Sequence, residues 1–143
     1  MLPARRFGHL DHLIANLWWG ADCGPVALAA ILGLRLGDVR RLIPEGKPQH
    51  ALDTALLPEI IRCAGRSYRL VGQRLPEHGI ALIKFGGWRK QPAHWVAVSG
   101  SHALDSTSCR WVPALAWLRF LAVLSILLGG NGRWWVYVGI EVE

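Results

Sequence analysis

Cys23, His94 and Asp105 are the residues whose types and settings could do chemistry together. Cys23 lies in "ADCGPVALAAILG", Ala21 to Gly33. Asp22 is a good N-cap for a helix from about Cys23 to Leu32, with Gly33 as its stop. Pro25 is tolerated there because first-turn N–H groups lack intrahelical partners. A cysteine in that first turn meets the positive end of the helix dipole, which favours the nucleophilic thiolate. Gly24 leaves the backbone beside it uncrowded, so that a substrate can approach. The competing reading is a small buried residue that opens a core helix.

A thiol nucleophile needs an imidazole nearby. The histidines are His9, His12, His50, His78, His94 and His102. His94 opens the apolar run "HWVAV" after a glycine-containing loop, a place that offers its side chain at a sheet end. "HWVAVSG" and "HALDS" read as two strands of a hairpin turning at Gly100-Ser101. That turn pairs Val98 with Ala103 and Val96 with Asp105. By the strand period of two, His94 and Asp105 then share one sheet face as diagonal neighbours. A carboxylate there orients an imidazole and stabilises its charged form. The plainer reading is a surface histidine beside an aspartate near a turn. His102 is the rival imidazole, but it lies in the turn.

Helices must carry the thiol and strands the imidazole. The first half reads helical. A short helix or turn is expected over 10–18. "GDVRRLIP" predicts a second short helix ending at Pro44. "ALDTALLPEIIRCAG" places Leu52, Leu56, Ile60 and Ile61 at helical spacing, with Gly65 as the stop. The second half reads mostly β. "SYRLVGQ", "IALIKF", the hairpin and "RWWVYVGIEV" are predicted strands, and "RLPEHG" a turn. Helices first and a mostly antiparallel sheet after them is an α+β order. The expected architecture is a single domain over 1–143, with an apolar helix at about 113–128 and a closing strand at about 133–142.

A chain of 143 residues that is 52% hydrophobic and 18% charged is long enough to bury one core. The net charge of +6 is spread along the chain without a dense basic run, so nucleic acid is not the expected partner. Three cysteines make no disulfide framework, and no Cys/His metal spacing appears. A reducing compartment, with no metal and no cofactor, is the expectation. "MLPARRFGHLDHLI" lacks the apolar core of a signal peptide, which points to the cytoplasm. The run from Val112 to Leu128 is apolar except for Arg119 and Ser125. It is at the short end of what spans a bilayer, with an arginine near its middle. A central or interface helix, apolar on nearly all faces, is the favoured reading, and peripheral membrane association the lesser one.

"DCGPVALAAIL", then "HWVAVSG", then "ALDS" resembles the papain-like cysteine peptidases. It is most similar to the bacteriocin-processing branch, whose domains precede exporters of double-glycine-leader peptides. "LRLGDVRRLIPEG", "LLPEIIRCAGRSYRLV" and "GIALIKF" are also similar to the segments between those motifs, so that the likeness covers about residues 10–110. It implies a papain-like α+β fold with the nucleophile helix packed on the sheet. It implies Cys23 as nucleophile, His94 as general base and Asp105 as the group that orients it. The family places a glutamine six residues before the cysteine as an oxyanion donor; here that position is Leu17. Asn16, one residue further back, reaches the site if the loop bulges by a residue. Such a donor is worth about 3–4 kcal/mol in the transition state.

The first functional expectation is a peptidase or related thiol amidase acting on extended peptide. Trp18, Trp19, Trp88 and Trp95 are candidate groove walls, each with a core residue as its alternative. Amidase, deamidase and transglutaminase-like chemistry use the same triad. The second expectation is a papain-like module with little or no turnover that binds a peptide or a partner subunit. The apolar helix at 113–128 is its docking element.

Overall fold

The computed structural model describes residues 23–43, 56–86, 93–105, 110–127 and 129–143. Asn16, Trp18, Trp19, Asp22 and Trp88 lie outside them, as does the helix or turn expected over 10–18. The side chains of Cys23 and Ala93 also lie outside the described set.

Helix α1 is Cys23–Leu32, and residues 24–32 are all buried. A sequence with no polar stripe has to be covered on every side. Its stop is Gly33, at φ 67°, where the Leu34 N–H returns to the Ala29 carbonyl at 3.0 Å. Helix α2, Leu36–Leu42, opens with the Arg35 N–H donating to the Asp38 carboxylate at 3.2 Å. Helix α3, Leu56–Cys63, buries Leu56, Ile60 and Ile61 at the anticipated spacing and Leu57 beside them, while Leu52 lies outside the described residues. It ends at Gly65, at φ 78°.

The strands are β1 (Tyr68–Gly72), β2 (His78–Phe85), β3 (Ala93–Ser99), β4 (His102–Asp105), β5 (Arg110–Pro113) and β6 (Trp134–Val142). Helix α4, Ala114–Leu127, joins β5 to β6. They form one six-stranded sheet in the order β1-β6-β2-β3-β4-β5, with every neighbour antiparallel. The fold is therefore mixed α+β. The closing strand β6 inserts between β1 and β2, so the last residues of the chain lie inside the sheet rather than at its edge.

Each face of the sheet carries its own core. On one, α1, α2 and α3 pack on Ile80, Leu82, Trp95, Ala97, Leu104, Ile140 and Val142. On the other, Ala81, Ile83, Phe85, Val96, Val98, Ala103 and Val136 meet Ala114 and Leu118 of α4. With apolar layers on both sides, β2 and β3 read as continuous apolar runs instead of alternating ones.

Two expectations change. Residues 110–113 form an edge strand that the sequence pattern does not anticipate, and the helix expected from about 113 begins at Ala114; a four-residue strand ending in proline is tolerated at an edge, where no neighbour needs the missing N–H. The apolar helix, expected to be either central or at an interface, is not central. It buries Ala114, Leu118, Ala122 and Ser125, a single stripe at helical spacing. Leu115, Phe120, Val123, Ile126 and Leu127 point outward, Leu127 at 79% exposure. The reason is position: α4 lies over the β4–β5 end of the sheet, and no described element covers its outer side. Among the described residues, no helix is long and apolar enough to cross a membrane.

Two sets of substitutions test this packing. A Cβ on Gly79 would overlap the Ile140 carbonyl oxygen of β6, whereas one on Gly37 of α2 meets nothing within 4 Å. Gly79→Ala is therefore expected to destabilise by more than about 2 kcal/mol, and Gly37→Ala to stabilise by up to about 1 kcal/mol, in urea unfolding. Leu118→Ala should cost about 2–4 kcal/mol, because Leu118 is 1% exposed. Phe120→Gln and Val123→Gln should each stay within about 0.5 kcal/mol of wild type.

Candidate active site

The β3–β4 hairpin turns at Gly100, whose φ of 60° is what a primed two-residue turn requires at its first position. Val98 pairs with Ala103 and Ser99 with His102. Continued by two residues, that register sets Val96 opposite Asp105 and brings His94 to its diagonal. Val96, Val98 and Ala103 face the α4 layer, so His94 and Asp105 share that face by alternation.

His94 is half-buried, and its ring lies 6.0 Å from that of Trp117, tilted by 51°. Trp117 comes from the first turns of α4. Burial pushes the His94 pKa below its usual 6.5, and the Asp105 carboxylate pulls it partly back up. Burial thus favours the neutral imidazole, the form that accepts a proton. Asp105 is paired directly with Arg110 of the edge strand β5. Sequence reasoning passed over both Trp117 and Arg110. A strand at 110–113 would have pointed to Arg110; nothing in the spacing of the apolar helix marks Trp117.

The helix that begins at Cys23 belongs to the other layer. Cys23 is the first residue of α1, and α1 packs on the face that carries Trp95, Ala97 and Leu104. His94 alternates with Trp95 and therefore faces away from α1. The described residues bring together His94, Asp105 and Trp117; they do not include the Cys23 side chain. His94 is the second residue of β3, so the strand that separates the two layers begins one residue before it.

Trp95 is 6% exposed and packed in the α1 core. It is a core residue and not a wall of a groove, because the strand period turns it toward α1. Gly24 is buried in the first turn of α1. His102 lies beside the turn, with its Nδ1 3.3 Å from the Ser101 hydroxyl. Among the described residues, no group of three His, Cys, Asp or Glu is placed to hold a metal ion. Comparison with protein-family models, with curated proteins and with solved structures finds no match.

The lowered His94 pKa sets a pH test. The unfolded chain takes up the His94 proton near pH 6.5, and the folded chain does so only at lower pH. The contribution of His94 to stability is thus complete above pH 6.5 and is lost as pH falls from there toward the folded-state value. Urea midpoints measured through that window should fall more steeply for wild type than for His94→Gln. Asp105→Asn removes the interaction that raises the pKa, and should move the His94 titration seen by NMR to still lower pH.

Proposed function

We propose that the chain is a papain-like cysteine peptidase or related thiol amidase, with Cys23 as nucleophile, His94 as general base and Asp105 as the residue that orients and stabilises the imidazole. The observation that carries this reading is the placing of a half-buried His94 and Asp105 on one sheet face, in a chain that also carries Asp-Cys-Gly-Pro at the start of a buried helix. The reaction takes the proton from the Cys23 thiol to His94. The Cys23 sulfur then bonds to the substrate carbonyl carbon. The C–N bond breaks as His94 returns that proton to the leaving amine. Water next attacks the thioester, giving a proton to His94, and the acid and the thiol are released. The Cys23 backbone N–H, with Asn16, would receive the oxyanion. The reaction requires the first turn of α1 to present its thiol to His94 round the start of β3. Extended peptide is the substrate class, and Trp18 and Trp19 are the proposed groove residues. Cys63 is an exposed free thiol, which fits a reducing, cytoplasmic setting.

A second reading rests on a different observation. Helix α4 lays Trp117 against His94 and turns Leu115, Phe120, Val123, Ile126 and Leu127 outward. A papain-like module without turnover would use that outer side to hold a partner subunit.

Alkylation of Cys23 against pH, with the site assigned by mass spectrometry, separates the two. Rapid labelling well below the roughly 8.5 pKa of an unperturbed thiol, shifted upward in His94→Ala, is the expected result. Peptide or amide turnover should then fall by roughly 10²–10⁴-fold in the same variant. Slow labelling that does not respond to His94 would leave the binding module.

A further inference from the structure

On the same sheet face as His94, but at the opposite end, β1, β6 and the 73–77 loop enclose a cleft of about 310 Å³ lined by Arg69, Val71, Arg74, Leu75, Glu77 and Glu141. Glu141 pairs with Gly79 across β6–β2, whereas His94 pairs with Ile83. Along β2 the two places are thus offset by four residue steps, about 13 Å at strand rise, and they lie on opposite sides of that strand.

The cleft is held open by backbone. A bulge between Leu70 and Gly72, with Gly72 at φ 69°, turns the chain off the edge strand. The loop then crosses directly over Gly139, where a Cβ would overlap the Arg74 carbonyl oxygen. The Arg74 Nε donates to the Val71 carbonyl at 3.4 Å. At the loop's far end the Glu77 and His78 N–H groups donate to the two Glu141 carboxylate oxygens, at 2.9 and 3.0 Å. The Gly100 N–H donates to the Glu77 carbonyl at 2.7 Å.

This anchoring decides which side chains keep donors to spare. Arg69 stands directly opposite Glu141 across β1–β6, the position in which a cross-strand ion pair would form. The Glu141 carboxylate is turned to the loop amides instead, and Arg69 makes no ion pair among the described residues. Arg74 spends only its Nε, on Val71. Two guanidinium groups with spare donors therefore border the same cleft as two carboxylates, Glu141, engaged by the loop amides, and Glu77. Guanidinium forks match the oxygens of a carboxylate or phosphate, and a carboxylate at the rim matches an ammonium.

We infer that this cleft binds a small zwitterion, in which Arg69 and Arg74 take a carboxylate or phosphate group and Glu77 an ammonium group. The inference does not rest on the thiol chemistry, and alkylation of Cys23 reads that chemistry separately.

The test is an NMR titration of the full chain with three probes: L-glutamate, O-phosphoethanolamine and glutarate, the last being glutamate without its ammonium. Saturable shifts of the Val71, Leu75 and Glu77 amides are expected with at least one of the first two, and their relative affinities decide between carboxylate and phosphate. Arg69→Gln and Arg74→Gln should each weaken binding by about tenfold or more. Glutarate should bind less well than glutamate, and Glu77→Gln should close that gap. Both arginines are exposed, so the variants should keep the wild-type circular dichroism spectrum. No saturable shift at millimolar concentrations, or shifts indifferent to both arginine variants, would overturn the inference.

Discussion

Strict alternation of side chains along β3, between two separate apolar layers, is the constraint on which the rest of the structure depends. Trp95 and Ala97 belong to the layer of α1; Val96 and Val98 belong to the layer of α4. A sheet buried on both sides has no solvent face on which a slip of register could be absorbed. A shift of one residue would exchange the two cores and leave Trp95 where Val96 now fits. The same alternation fixes where His94 and Asp105 must be. They are polar members of the α4 face, at the strand ends, where apolar packing gives way. Site and core therefore share one cause.

The described residues show how far such a pattern can be read in one dimension. The hairpin was legible because Gly100-Ser101 lies between two short apolar runs, and the turn sets the pairing that follows. Helix α1 was legible from its glycine stop, and α3 from the spacing of Leu56, Ile60 and Ile61. Strand β5 was not. Four residues, "RWVP", run directly into an apolar helix, and only the neighbour β4 identifies them as a strand. Its loss also hid Arg110, which becomes the partner of Asp105 solely through cross-strand register. Trp95 carried no mark to separate a groove wall from a core residue; the strand period decides it only once the position of α1 is known.

The cleft at the β1 end shows the same limit for charge. Arg69 and Glu141 are 72 positions apart in the chain and become direct neighbours through the β1–β6 pairing. Even that pairing does not predict an ion pair. Two backbone N–H groups at the start of β2 need acceptors, and a fixed pair of amides holds a carboxylate with less lost side-chain freedom than a mobile guanidinium does. The backbone requirement thus prevails over the side-chain one, and the arginine is left with donors to spare.

Helix α4 joins these threads. Its sequence is apolar around most of its circumference, so composition alone gives no face to bury. Small residues make the choice. Ala114, Ala122 and Ser125 let the helix approach the sheet closely, with Leu118 filling the space between, and the Ser125 hydroxyl closes its own demand on the Ala122 carbonyl at 2.6 Å. The bulkier Phe120 and Val123 are then turned outward by the geometry of the helix and not by any affinity for water. Trp117 flanks the buried stripe, and the approach that the small residues permit brings its ring to His94. The desolvation that lowers the pKa of this imidazole therefore originates in the choice of face. A change that lifted α4 from the sheet, even one far from His94, would rehydrate the ring and raise its pKa toward that of an exposed histidine paired with a carboxylate.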